Sequence, residues 1–274
     1  MARRIGIALA AIAVVVLGAV AYVWFSGGSG EPSTEVTAPP ITSAPTTAAT
    51  TTAADPAATS TVAAESDPTT TVAETAPTAV VESTEPEAAA TTSAVLYRID
   101  KAESSVGFEI DEILNGNPFR VVGVTTEVAG EVLIDFDDPT TSQLGTIVIN
   151  VRTLATDSGF RDRAIRGPIL GSSRDENEFA MFEPADIEGL PDRVAVGDRV
   201  SLRITGTFTL SGEARSVTFD TEVSVVSEER IEVTGTATVL RSDFGLTIPD
   251  VPSVSGVADE LLLVIDLVAV AVGV

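Results

Sequence analysis

Val200-Ser201-Leu202-Arg203-Ile204-Thr205-Gly206-Thr207-Phe208-Thr209-Leu210 alternates apolar or small residues with polar ones without a break. A strand turns successive side chains to opposite faces, so this period of two gives one dry face and one wet face. Residues 217 to 225 repeat the pattern, with Val217, Phe219, Val223 and Val225 set against Thr218, Asp220, Glu222 and Ser224. Residues 231 to 239 repeat it again, with Ile231, Val233, Gly235, Ala237 and Val239 on one parity. Strands of this kind, joined by short turns, bury one common face between two sheets or inside a closed barrel.

Read outward from there, the sequence predicts strands at about 96–100, 105–114, 118–123, 126–137, 144–153, 178–187, 199–211, 215–227, 230–241 and 259–272. Turn residues punctuate them at Asn115-Gly116-Asn117-Pro118, Asp137-Asp138-Pro139, Ser211-Gly212 and Ser227-Glu228. Only Asp157 to Arg166 reads as a helix, with Asp162 and Arg166 one turn apart and able to pair. Many strands without intervening helices make an all-β antiparallel barrel with one short helix, spanning residues 95–274.

Two segments of other character precede it. Ile5 to Phe25 is an almost unbroken apolar run, long enough as a helix to cross the ~30 Å of a bilayer core. Arg3 and Arg4 come before it and no basic residue follows until Arg98, which keeps the N-terminus in the cytoplasm and exports the rest. The competing reading is a cleaved signal peptide, against which stand the length of the run and the lack of a clear small-residue cleavage site. Residues 26–94 collapse to Thr, Ala, Pro, Ser, Val and Glu with no basic residue, a composition expected to be a disordered tether. The expected organisation is therefore a cytoplasmic tip and transmembrane anchor at 1–25, a linker at 26–94 and a barrel at 95–274. The barrel is expected to be extracytoplasmic on a single-pass anchor.

Composition removes several chemistries. The 274-residue chain has no His and no Cys, hence no imidazole base, no imidazole metal ligand and no thiolate nucleophile. Its 40 acidic residues against 16 basic ones, a formal charge of −24, oppose nucleic-acid binding. Asp135, Asp137 and Asp138 form the densest carboxylate cluster, but their spacing lacks the central Gly and bidentate Glu of a calcium loop and fits a solvated turn. Lys101 is the one Lys, and no Ser-x-x-Lys order accompanies it. Arg161, Arg163, Arg166 and Arg174 could receive a phosphate or quinone oxygen at a pocket mouth, although Asp157, Asp162, Asp175 and Glu176 lie close enough in sequence to pair with them.

The inward face is the candidate site. Val106, Phe108, Ile110, Ile134, Phe136, Ile147, Ile149, Leu202, Ile204, Phe208, Phe219 and Val223 fall on it, with Val132 and Val151, joined by Phe179, Phe182 and Phe244. Gly206 and Gly235 share that parity and leave space, and an eight-stranded barrel is wide enough for one small ligand. Periodicity does not separate a filled core from a cavity.

The strand-borne motifs resemble the YceI-like family of exported, lipocalin-like barrels. Tyr97-Arg98-Ile99-Asp100 followed by Ser104-Ser105-Val106-Gly107-Phe108 is similar to the family's opening. Val121-Val122-Gly123, Gly130-Glu131-Val132, Arg161-Asp162-Arg163-Ala164-Ile165 and Gly206-Thr207-Phe208-Thr209-Leu210-Ser211-Gly212 follow in family order, and Arg241-Ser242-Asp243-Phe244-Gly245 is the most specific. Glu103 stands where the family often has His, and an acidic insertion runs from Ser173 to Glu178. The resemblance implies an apolar tunnel for a polyisoprenoid, such as a quinone or polyprenyl lipid, with no catalytic residue, cofactor or metal. Expected partners are that lipid and the membrane, with homodimerisation left open. The rivals are a structural or adhesive module with a filled core and a hydrolase on the same barrel, in which Asp243 would be the carboxylate to test. In the binding reading Arg241 and Asp243 close the barrel rim.

Overall fold

The structure, a computed structural model, describes residues 30–41 and 94–273. Strands β1 (Ala94–Ile99), β2 (Ser105–Leu114), β3 (Asn117–Thr125), β4 (Val128–Ala129), β5 (Glu131–Asp135), β6 (Gln143–Leu144) and β7 (Ile147–Asn150) come first. Helix α1 (Gly159–Ala164) interrupts them and continues as one π-helical stretch through Ile169. Then follow β8 (Phe179–Glu188), β9 (Arg199–Leu210), β10 (Glu213–Ser227), β11 (Arg230–Leu240), β12 (Val254–Ser255) and β13 (Glu260–Ala271).

All named pairings are antiparallel, and the hydrogen-bonded path runs β4-β7-β8-β9-β10-β11-β13-β1-β5-β6. Its two ends meet through the chain itself, since β5 follows β4 after one residue and β7 follows β6 after two. The result is a curled antiparallel sheet wrapped round one interior. β13 divides its free edge between two partners, pairing Leu262–Asp266 with β2 and Ala269–Ala271 with β1.

The alternation that opened the sequence reading is realised in β9: Ile204, Gly206, Phe208 and Leu210 are buried, while Arg203 and Thr207 are exposed. The β2–β3 and β9–β10 connections are two-residue hairpin turns, Asn115-Gly116 and Ser211-Gly212. All four residues take positive φ, at 51° and 80° in the first and 52° and 84° in the second. Positive φ at both central positions matches the right-handed twist of the flanking strands, and the Gly at the second position carries it without strain.

Three expectations need correction. The helix starts two residues later than the expected Asp157–Arg166 and runs on to Ile169 through its π-helical stretch, and the pair that forms at its start is Arg161 with Asp157, while Asp162 accepts from the Thr156 N–H and hydroxyl at 2.7 and 2.6 Å. Capping the chain entry engages Asp162 more closely than a surface pair with Arg166 would. Gly206 leaves no void either, because a Cβ there would lie 2.7 Å from the Phe182 ring, which fills the space; at Gly235 Thr221 does the same. Finally, Gly30–Ile41 does not belong to a disordered tether: it runs along the barrel, with the Ser33 N–H 2.7 Å from Glu178 and the Ile41 N–H 3.2 Å from Glu131.

The run Ile5 to Phe25 and the rest of the expected tether lie outside the described residues. No helix among the described residues is long and apolar enough to cross a membrane.

Candidate functional site

The interior contains two apolar chambers. The larger, about 410 Å³, opens beside α1 and the 246–257 segment, and the smaller, about 180 Å³, lies towards β5, β6 and the 190–194 loop. Val106, Ile149, Phe208, Phe219 and Ile265 face both, so these side chains form a waist between them. The larger volume falls within the roughly 300–1,000 Å³ of small-molecule sites.

Most of the sequence-derived set assembles here. Val106, Phe108, Ile110, Ile149, Phe208 and Phe219 line the larger chamber. Ile134, Ile147, Phe182, Leu202, Ile204 and Val223 line the smaller one, where Phe182 and Phe219 meet edge to face at 5.3 Å. Three residues line neither chamber. Phe179 sits three positions before Phe182, an odd offset that places it on the opposite face of β8 from buried Ala180 and Phe182. Phe136 falls just past β5 and packs edge-on against buried Tyr97 at 6.4 Å, in a separate cluster with Val225, Ile231 and Ala269. Phe244, in the 3-10 turn after β11, is buried against Phe208 with centroids 5.7 Å apart, backing the waist from behind.

Polar groups gather at the mouth of the larger chamber. Arg161, on α1, donates to Glu112 at 3.1 Å, pairs with Asp157 and lies 5.3 Å above the Phe119 ring. Arg161 and Glu112 both line the chamber, with side chains only 17% and 7% exposed, so together with Asp157 they form a charged edge to a mostly apolar site. The other basic residues of the stretch disperse: Arg166 donates to the Arg152 carbonyl at 3.4 Å and Arg174 pairs with Glu176 at 3.6 Å. Arg161, Arg166 and Arg174 do not make a common anion receptor.

Arg241 also reaches the larger chamber, but its partner is not Asp243. Its guanidinium donates to the carbonyls of Ala258 at 3.0 Å and Leu246 at 2.9 Å and lies 3.7 Å from Asp259. It thereby fastens both ends of the 246–257 segment, whose Leu246, Ile248, Val251, Val254 and Val257 complete the chamber wall. Sequence periodicity missed those residues, because they lie in a mostly irregular segment; clustered apolar residues around Pro249 and Pro252 were the one signal.

The Asp135-Asp137-Asp138 cluster serves its own turn. Asp135 accepts from the N–H groups of Asp137 and Asp138 at 3.0 and 3.1 Å, and Asp138 caps the 3-10 turn that follows. Among the described residues no group of three or more acidic side chains is gathered as a metal site.

A buried polar network also escaped the sequence reading. Arg152, 4% exposed, donates to Glu178 at 2.9 Å, Asp175 at 2.7 Å and the carbonyls of Ser172, Ser173 and Glu31. Asn150, fully buried, donates to Glu178 at 2.8 Å. Burial pushes the Glu178 carboxyl up, but hydrogen bonds from Ser33 and Asn150 and the charge of Arg152 outweigh it and leave it below the ordinary glutamate value. Hydrogen bonds from Arg98, against a smaller effect of burial, hold Glu131 below that value too, helped by the Ile41 N–H. The acidic insertion at Ser173–Glu178 was the visible trace of this network.

Comparison with solved structures finds the same fold. A polyisoprenoid binding domain from Saccharophagus degradans, implicated in plant cell wall breakdown, superposes with a TM-score of 0.50 at 15% identity, covering 65% of this chain and 99% of that one. BcnA of Burkholderia cenocepacia gives 0.48 at 21% identity, covering 62% and 98%. Curated protein sequences give no match. The YceI-like domain model matches residues 97–269, more than half of the chain and all the strands that build the chambers. The chain therefore belongs to the YceI-like family.

Proposed function

We propose that this chain is an extracytoplasmic, membrane-anchored binding protein that holds an apolar lipid of the polyisoprenoid type in its interior, without chemistry. The observation that carries this reading is the pair of largely apolar chambers meeting at one waist, with the few charged residues that line them held in pairs, Arg161 with Glu112 and Asp157 at the larger mouth and Glu131 with Arg98 beside the smaller chamber. Such a site holds a long hydrocarbon by burial, at roughly 25 cal/mol per Å² of apolar surface removed from water. The Arg161 edge then orients a headgroup. The S. degradans relative, described as polyisoprenoid binding, supports the ligand class. The apolar run Ile5–Phe25 with Arg3 and Arg4 before it supports the anchor and its orientation.

Delipidated protein titrated with a long-chain isoprenoid alcohol tests the binding. At a hundredfold excess over Kd a ligand of the folded state adds about 2.7 kcal/mol, a melting shift of several degrees. A filled-core module would show no shift. The orientation is read separately by adding protease to intact cells, which should shave off the barrel; a protected barrel would reverse the assignment.

A further inference from the structure

Gly30–Ile41 meets the barrel at both of its ends. At its start, the Glu31 carbonyl accepts from Arg152 at 3.1 Å, and Ser33 gives Glu178 both its N–H, at 2.7 Å, and its hydroxyl, at 3.0 Å. At its end, the Ile41 N–H meets Glu131 at 3.2 Å, and the Ile41 side chain packs over Gly145, where a Cβ would stand 3.1 Å from it. Glu131, Arg152 and Glu178 are all buried, so the segment adds hydrogen bonds to paired charges that are largely shielded from water.

We infer that Gly30–Ile41 is a docked strap and that it holds the barrel close to the membrane. The second half of this rests on the membrane-anchor reading above. Ser26–Ser29 alone separate the end of the apolar run from the strap. Five residue steps span at most ~17 Å, so a docked strap keeps the Arg152–Glu178 side of the barrel at the bilayer surface. An undocked chain would connect Phe25 to Ala94 through a coil with an r.m.s. reach of roughly 45 Å. The strap thus sets the distance over which the chambers can meet lipid.

The chain has no Cys, so labels go only where they are placed. Full-length protein in vesicles of neutral phospholipid, spin-labelled at Glu35→Cys on the strap and Glu183→Cys on β8, should give one narrow distance. Adding Ser33→Pro and Ile41→Pro removes two N–H donors and the hydroxyl without altering a barrel residue, and should broaden that distance while circular dichroism shows the barrel still folded. A fluorophore at Arg174→Cys, beside the docked Gly30 end, should transfer strongly to a headgroup acceptor, and the double proline should cut that transfer by half or more. A broad distance in the parent chain would overturn the strap. Narrow distances with unchanged transfer after undocking would overturn its control of reach. Vesicle flotation reads the anchor itself: protein that fails to float removes the anchor and the short reach together, while a narrow parent distance still establishes the strap.

Discussion

Phe208 faces both chambers and is backed by Phe244, so its ring sets the width of the waist. Phe208→Trp adds volume at that point. It should reduce lipid retention several-fold with a melting temperature within a few degrees of the parent, measured on matched preparations. If the interior were filled core, the same change would overpack it and cost about 1–3 kcal/mol with nothing to release. Arg241 makes a second residue-level test. Arg241→Ala should lose about 1–3 kcal/mol in denaturant titration, because two carbonyls of a half-buried segment lose a charged donor. Asp243→Asn should melt like the parent, since Asp243 is exposed and the guanidinium is engaged elsewhere. The motif containing both residues was visible in the sequence. Its pairing was not, because the partners of Arg241 at Ala258 and Asp259 lie across an irregular segment that no period describes.

Among the elements, the hairpins were the most legible. Asn115-Gly116 and Ser211-Gly212 are local signals, and β2 and β9 begin and end within a residue of the alternation that predicts them. The strap was the least legible, because its composition matches a solvated spacer and its partners lie far along the chain, Glu178 being 145 residues from Ser33. Its docking should depend on pH. Glu178 faces Arg152, Asn150 and Ser33, with Asp175 also on Arg152, and Glu131 faces Arg98 and Ile41. Both glutamates titrate below their ordinary value of 4.5 when folded. A depressed carboxylate contributes its full stabilisation above the unfolded value and loses it as pH falls through the folded one. Hydrogen exchange at the Ser33 and Ile41 amides should therefore stay slow above about pH 4.5, after correction for intrinsic rates, and approach unprotected rates as acid is added below it. Protection that persists undiminished at pH 2 would show that these carboxylates do not hold the strap.

For the whole molecule, the alternation across β9, β10 and β11 predicted antiparallel strands with one buried face, the number of strands without helices between them pointed to a barrel, and the structure shows a curled antiparallel sheet. What the period of two could not supply is the interior volume. It states which side chains point inward, whereas packing density depends on how far their ends reach across the barrel. Gly206 illustrates this, since its missing side chain reads as space and is filled by Phe182. Phe179 shows the converse, an aromatic residue expected inside that strand parity sends out. The claim on which the functional account depends is that the two chambers hold an apolar lipid. Organic extraction of the detergent-free purified barrel, followed by mass spectrometry, tests it directly: a long hydrocarbon lipid recovered near stoichiometry, and reduced several-fold in Phe208→Trp, is the predicted result. Reproducible recovery of no lipid, together with no melting shift on isoprenoid titration, would contradict the account and leave a filled structural barrel.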